Sequence, residues 1–487
     1  MHALESPGIE AAKIATPLTD EDVAKGEASV LVSPRNPTPM ETIYLSNIDQ
    51  TAAFPVETIF FYEMPPDDAA AAAATSGVVV ERVRRSVSDV LLIPYYFMAG
   101  RLNFNLETKR LELLCNNAGA LFVGATSRRS LEELGNLSAP NPSFQHLILR
   151  TDGFNGVHET PVFTIQVSSS SSRRDGCVCI DFDFRVPSKV TEFRCGGFSI
   201  GIMTNHSVLD GRSAAEMFEN LAAICRGDGL KPLELHVDRS YIRARDPPQI
   251  RFHHTEYTKR RDATCFTSPE QPSPATALPQ VSENHDYRVL SLAPDIIDGL
   301  KRKAMTECCS SFEAVVAHLW RARTKAVFDD PLEISSVLFA VDVRSKVSPP
   351  LPRGFTGNAV ITASASARAA ELGERPLCFA VKRVREAIGR VTDEYVRSAV
   401  DWLEVNKGVP SVLRRNFFVS AWWKLPFHEL DFGWGKPVFG GPVVSGMHEF
   451  VLLLAGGGKE GKGSGINVWA ALEKEEMKRF ARNVFEP

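Results

Sequence analysis

The stretch Gly197-Phe198-Ser199-Ile200-Gly201-Ile202-Met203-Thr204-Asn205-His206-Ser207-Val208-Leu209-Asp210-Gly211 sets the architecture of this chain. Residues 193–205 are rich in β-formers and contain glycine, the composition of a strand that other backbone approaches closely. Over residues 211–224 apolar side chains return at helical spacing, at Ala214, Ala215, Met217, Phe218, Leu221 and Ala222. A strand therefore ends at His206 and a helix follows. The imidazole stands at the strand's end, and the Asp210 carboxylate stands four residues later at the helix entrance.

Working outward, the first forty residues are rich in Pro, Ala and Ser, and ordered structure is expected to start with strand-like segments at 41–49 and 56–62. The alanine run 69–74 reads as a loop insertion before an amphipathic helix at 79–92. Residues 162–167 and 178–184 read as strands joined by a serine-rich hairpin tip at 168–172. Downstream of 225 periodicity fades, and Pro247-Pro248 with the proline-rich stretch 267–279 marks a long crossover. The second half then repeats the mixture, with helices expected at 295–303, 311–327 and 377–405 and strands at 334–341, 358–362 and 449–454. The expected organisation is α/β, with units at 1–225 and 286–487 about a linker at 226–285.

Composition narrows the function classes. Lys and Arg total 55 against 59 acids, so a net charge of −4 supplies no global attraction to nucleic acid or anionic lipid. The longest strongly apolar stretch, residues 91–100, is half the length of a membrane span and contains Pro94. The N-terminus shows no basic region followed by an apolar core, so no secretory signal is readable. Nine cysteines, an odd number without C-x-x-C spacing, fit reduced thiols in a cytoplasmic protein better than a disulfide or zinc framework. Cys177, Cys179, Cys308 and Cys309 read as buried or incidental.

Histidine is the side chain whose ordinary pKa lies nearest neutrality, so His206 could take a proton from a hydroxyl or amine as that group attacks, an effect of about 10²- to 10⁴-fold. A structural histidine followed by a capping aspartate is the better account of His-x-x-x-Asp when it stands alone. One His and one Asp fall short of the three protein ligands of a catalytic zinc, so no metal is expected. Gly197-Phe198-Ser199-Ile200-Gly201 matches the nucleophile-elbow pattern of serine hydrolases. An elbow turns sharply at its serine, whereas residues 202–204 continue the strand, so Ser199 reads as a strand residue. The run 456–463 resembles a phosphate loop but has Gly463 where magnesium needs a hydroxyl, and it reads as a hairpin loop between strands. Asp431-Phe432-Gly433-Trp434-Gly435 demands a tight turn in which Asp431 accepts main-chain hydrogens and Trp434 anchors by burial. Ser420-Ala421-Trp422-Trp423 concentrates aromatic surface that suits a pocket or a core.

The pairing of His206-Ser-Val-Leu-Asp210-Gly211 with Asp431-Phe-Gly-Trp-Gly435, about 220 residues apart, resembles the plant BAHD family of acyl-CoA-dependent acyltransferases. Further matches cover most of the chain: Leu45-Ser-Asn-Ile-Asp49, Ala99-Gly100-Arg101-Leu102, Val341-Asp-Val-Arg344 and Gly357-Asn358. The resemblance implies two chloramphenicol-acetyltransferase-like domains joined by a long crossover loop, with an active-site tunnel between them. It implies His206 as general base, Asp210 as an orienting residue paired with Arg344, and Ser420 and Trp422 facing the substrates. Serine stands at Ser420 where the family pattern has threonine, and Trp423 adds bulk beside it. The turn formed by Asp431, Phe432, Gly433, Trp434 and Gly435 carries over as architecture. No bound cofactor is implied; acyl-CoA is a co-substrate, the acceptor is a small alcohol or amine, and a monomer is expected. Leu45-Ser-Asn-Ile-Asp-Gln50 and Cys195-Gly-Gly-Phe198 look most like the branch that moves hydroxycinnamoyl groups to ω-hydroxy fatty acids and fatty alcohols. Acetylation of a terpenoid or steroid-like alcohol, N-acylation of an amine, and a non-catalytic accessory relative are the competing expectations.

Overall fold

Strand-forming runs in the two halves of the chain assemble into separate sheets, each covered by helices. The computed structural model describes residues 17–25, 29–63, 76–137, 141–151, 153–170, 197–231, 234–258, 284–304, 309–407, 409–410, 416–443, 450–456 and 465–486. The alanine run 69–74, the expected strand 178–184, the hairpin tip beyond Ser170, Cys195, Cys308 and the glycine-rich loop from 457 onward lie outside the described residues.

The first sheet comprises β1 (Val23–Lys25), β2 (Val30–Val32), β4 (Pro55–Tyr62), β7 (Ala120–Ser127), β8 (Phe163–Ser170), β9 (Phe198–Asn205) and β16 (Phe439–Pro442). Its order is β1-β7-β8-β9-β4-β16, with β2 also on β7. A smaller sheet of β3 (Glu41–Tyr44), β6 (Arg110–Cys115) and β5 (Arg101–Asn105) lies beside it. The second large sheet, ordered β11-β18-β17-β15-β12-β13, contains β11 (His285–Leu292), β12 (Ile334–Asp342), β13 (Val360–Arg368), β15 (Asn416–Ala421), β17 (Phe450–Ala455) and β18 (Ile466–Glu473). Its parallel pairs are β12 with β15 and β15 with β17. The helices Ser311–Val327, Leu377–Arg390 and Lys474–Phe485 bury their apolar faces on this sheet, around Trp320, Phe339 and Leu453. Trp320 is fully buried and donates its indole hydrogen to Ser335 Oγ at 3.0 Å, so its bulk enters the core without an unmet polar group.

One strand crosses between the halves. β16 belongs to the C-terminal half by sequence but pairs antiparallel with β4, Phe439 opposite Phe61. The crossover is also anchored where it is described: Arg245 donates to Asp401 through Nε (2.6 Å) and its main-chain N–H (2.8 Å), and β10 (Tyr257–Thr258) pairs with β14 (Val409–Pro410).

Ordered structure starts ahead of the expected residue 41, with β1 and β2 both paired to β7, and three further expectations of local structure are corrected by capping and pairing. Residues 45–49 do not extend the strand of 41–44: Ser46 caps a short helix, Asn47–Thr51, by a reciprocal bond with Asp49. The single helix expected at 377–405 is two, Leu377–Arg390 and Asp393–Asn406, because Thr392 turns extended and caps the second. Ser168, Ser169 and Ser170 are no hairpin tip but the end of β8, paired to β7. The helix expected at 79–92 is α-helical over Ser76–Arg85 and widens to a π-helical turn over Ser86–Leu91. Among the described residues no helix is long and apolar enough to cross a membrane.

Candidate active site

Strand β9 ends because Asn205 turns the chain. Its side-chain oxygen accepts hydrogens from the main chain and hydroxyl of Ser207, at 3.0 and 2.7 Å, and Val208 N–H closes back on Asn205 C=O at 3.0 Å. Val208 and Leu209 are buried in the first core, which fixes the loop from below. His206 is therefore held at the strand's end by its neighbours. Its N–H donates to Phe54 C=O at 2.8 Å and its own C=O accepts from Asn358 Nδ2 at 2.7 Å. The ring lies 5.2 Å from that of Phe54, centroid to centroid. No described residue hydrogen-bonds the imidazole, and Nδ1 is buried without a partner. A half-buried imidazole of this kind has a nitrogen available for a proton.

Asp210 does not touch that ring. Oδ1 accepts from Ser213 N–H at 2.9 Å, capping the helix Gly211–Arg226, and both oxygens receive the Arg344 guanidinium, at 2.9 and 3.0 Å. Ala359 N–H adds a further donor at 3.0 Å. Burial acts to raise the Asp210 carboxyl, but the Arg344 charge, its two bonds and the main-chain donors outweigh it and hold the group below the ordinary range. Asp210 and Arg344 thus join the helix that follows His206 to the end of β12 in the other half.

A second buried pair, which sequence reasoning left without a role, lies beside the first. Asp49 is fully buried and accepts from Ser46 N–H (2.7 Å), Ser46 Oγ (2.8 Å) and Asn358 Nδ2 (2.7 Å). Arg239 from the crossover approaches it at 3.8 Å and donates to Val208 C=O at 2.9 Å. Burial pushes the Asp49 carboxyl up, and Arg239, Asn358 and Ser46 offset only part of that. Gly357 is required here, because a Cβ on it would lie 2.8 Å from Arg239 Nε. Asp49 and Asn358 stand inside motifs that the sequence displays; Arg239 stands in an aperiodic segment and carries no local signal.

The remaining candidates divide between the seam and the core. Trp422 donates its indole hydrogen to Ser420 Oγ at 3.0 Å and is half-buried between the cores of both sheets. The turn it opens closes with Leu425 N–H on Trp422 C=O at 2.9 Å, and a Cβ on Gly211 would meet Leu425 Cδ1 at 3.3 Å. The Ser420–Trp422 strand end and the His206–Asp210 loop therefore border one seam. Trp423 faces the other way, stacked on Phe312 at 6.2 Å in the second core, so its bulk does not enter that seam.

Asp431 Oδ1 accepts from the main-chain N–H groups of Gly433, Trp434 and Gly435, at 2.7, 3.1 and 3.0 Å. Gly433 and Gly435 take φ of +101° and +92°, values that side chains resist. Phe432 is fully buried against Phe60 and Tyr62, and Trp434 packs edge-on to Phe198 at 5.2 Å. The turn pins the C-terminal half to the first sheet just ahead of β16. Ser199 is sealed inside β9, paired to Phe61 and Ser168, with its hydroxyl unpartnered, which excludes an exposed nucleophile elbow.

Comparison with known proteins places the chain in a family. A family model described as Transferase family matches residues 25–180 and 186–486. Acyltransferase GLAUCE of Arabidopsis thaliana is 34% identical over 476 residues, covering 95% of both chains. Omega-hydroxypalmitate O-feruloyl transferase of Arabidopsis thaliana is 33% identical over 458 residues, 92% of this chain and 90% of its own. The crystal structure of vinorine synthase shares the fold, with a TM-score of 0.68 at 21% identity over 95% of this chain and 98% of that one. With a matching family model over nearly its full length and relatives above 30% identity, the chain belongs to the plant BAHD family of acyl-CoA-dependent O-acyltransferases.

Proposed function

We propose that this enzyme transfers a hydroxycinnamoyl group from its coenzyme A thioester to the hydroxyl of an ω-hydroxy fatty acid or fatty alcohol, with His206 as the general base. The observation that carries the base assignment is an imidazole free of hydrogen-bond partners among the described residues, on a backbone tied to both halves of the chain. The substrate reading rests on similarity to the feruloyl transferase and on the Leu45–Gln50 match.

In this reading the substrates meet in a tunnel along the seam between the units 1–225 and 286–487. A ring nitrogen of His206 takes the acceptor's hydroxyl proton as the oxygen attacks the thioester carbonyl carbon. The tetrahedral adduct collapses with cleavage of the carbon–sulfur bond, and the imidazolium returns its proton to the thiolate. Ester and free coenzyme A leave, with no acyl-enzyme. Ser420 accepts the indole hydrogen of Trp422 and keeps its own hydroxyl proton to donate to the oxyanion. Asp210 and Arg344 act at a distance, by fixing the helix start and the loop. The enzyme works as a cytoplasmic monomer.

The test supplies purified protein with feruloyl-, caffeoyl- and acetyl-CoA against ω-hydroxypalmitate, hexadecanol, shikimate and an aryl amine, reading thiol release and product mass. Long-chain hydroxycinnamoyl esters are expected. Acetyl esters or amides as the main products would overturn the substrate assignment, and no thiol release from folded protein would overturn the activity.

A further inference from the structure

Resting on His206 as the base, we propose that Asn358 is a positioning residue for acyl transfer, which sets the imidazole through the His206 main chain and is itself aimed by Asp49. Three consecutive N–H groups of the second half dock on the first: Gly357 on Ser213 Oγ (3.2 Å), Asn358 on Asp49 Oδ1 (3.2 Å) and Ala359 on Asp210 Oδ2 (3.0 Å). This segment therefore spans both ends of the His206 loop. The Asn358 side chain spends its two amide hydrogens on two acceptors, Asp49 Oδ1 and His206 C=O, each at 2.7 Å.

A main-chain carbonyl only accepts, so His206 C=O decides which end of the amide is the NH₂, and Asp49 holds that end by accepting its other hydrogen. The flipped amide would set its oxygen against a carboxylate and a carbonyl. In the orientation that remains, Asn358 Oδ1 is buried without a partner. That unmet acceptor opposes stability, so a contact serving only to seal the seam is a poor account of this arrangement. Arg239 completes the frame, holding Val208 C=O while it faces Asp49. The carbonyl of His206 is thus held by Asn358, which bonds Asp49, and that of Val208 by Arg239, which faces the same carboxylate.

Because no side chain among the described residues hydrogen-bonds the imidazole, its main-chain anchors are the polar control over where its nitrogen stands. A displacement of about 1 Å at a reacting centre can cost about 10²-fold in rate. Asn358→Ala is therefore expected to lower kcat by about 10- to 100-fold while the KM for acyl-CoA stays within about twofold. Asp49→Asn, whose side-chain oxygen can still accept from Asn358, should lose less.

The decisive measurement adds Asn358→Ala to His206→Ala. A residue that acts only through His206 has nothing left to position, so the residual rate should not fall further. Normal kcat in Asn358→Ala beside an inactive His206→Ala enzyme would overturn this inference alone, as would an equal further loss in the double variant. An undiminished His206→Ala enzyme would overturn the base assignment with it. If Asn358→Ala does not fold, Asn358→Ser, which keeps one donor, takes its place; failure of both to fold would assign the contact to stability and overturn the proposal.

Discussion

Two histidines of this chain make opposite use of the same side chain. His254, in the crossover, is sealed: Nδ1 meets Glu256 Oε1 at 2.8 Å and Nε2 meets Ser398 Oγ at 2.9 Å, the partners of a serine–histidine–acid triad. Ser398 Oγ also accepts main-chain hydrogens from Arg251 (2.9 Å) and Phe252 (3.2 Å), and Tyr395 donates its hydroxyl to Glu256 at 2.6 Å. Both ring nitrogens are engaged, in a buried contact that holds the crossover to the helix Asp393–Asn406. His206 has the reverse arrangement, with a secured backbone and a ring that no described residue hydrogen-bonds. The contrast teaches that side-chain partners alone do not make a catalytic histidine. A base needs a nitrogen with capacity left and a substrate able to reach it; partners that consume both make a clamp.

Exchanging the two roles by mutation breaks or sharpens this contrast. His206→Ala should lower kcat by about 10²- to 10⁴-fold with little change in Tm, and an activity loss matched by unfolding would erase the distinction. Arg344→Met leaves Asp210 as a buried, unpaired charge and should cost about 3 to 5 kcal/mol in denaturant unfolding. The sign of its pH dependence follows from the depressed Asp210 carboxyl. In the native chain the pair's contribution is complete above the ordinary aspartate pKa of about 4 and is lost as pH falls from there through the folded value. Arg344→Met should lack that acid-side loss, so urea midpoints of the two proteins should converge on acidification; parallel curves would deny the pair its role.

His254→Leu should cost about 1 to 3 kcal/mol by taking one buried partner each from Glu256 and Ser398, while kcat per folded molecule is unchanged. A selective fall in kcat would show that the clamp reaches the chemistry. The smallest effect belongs to Ser199→Ala. Removing a buried hydroxyl that has no partner should leave activity intact and stability unchanged or raised by up to about 1 kcal/mol, and lost thiol release there would revive the hydrolase reading.

Much of the site's local scaffold is readable from sequence. The β-rich run into Asn205 and the helical spacing after Gly211 place His206 at a strand end and Asp210 at a helix cap, as found. The two glycines and the aspartate of residues 431–435 specify a turn, because positive φ and an acceptor side chain are properties of single residues. Reading failed where a cap overrode composition, at Ser46 and Thr392, and where tertiary pairing recruited serines into β8. Apolar content alone could not locate these breaks.

What the sequence determined by itself is the set of elements around His206, since periodicity, caps and turn residues act over a few neighbouring positions. Only the tertiary structure decided which groups hold that histidine in place. Asp49 meets Asn358 across 309 residues, Arg239 of the crossover comes up to Asp49, and β16 leaves its own half to pair with β4. Such partners are chosen by closing the whole chain around two cores, where a buried charge or amide must find its complement wherever the fold brings one.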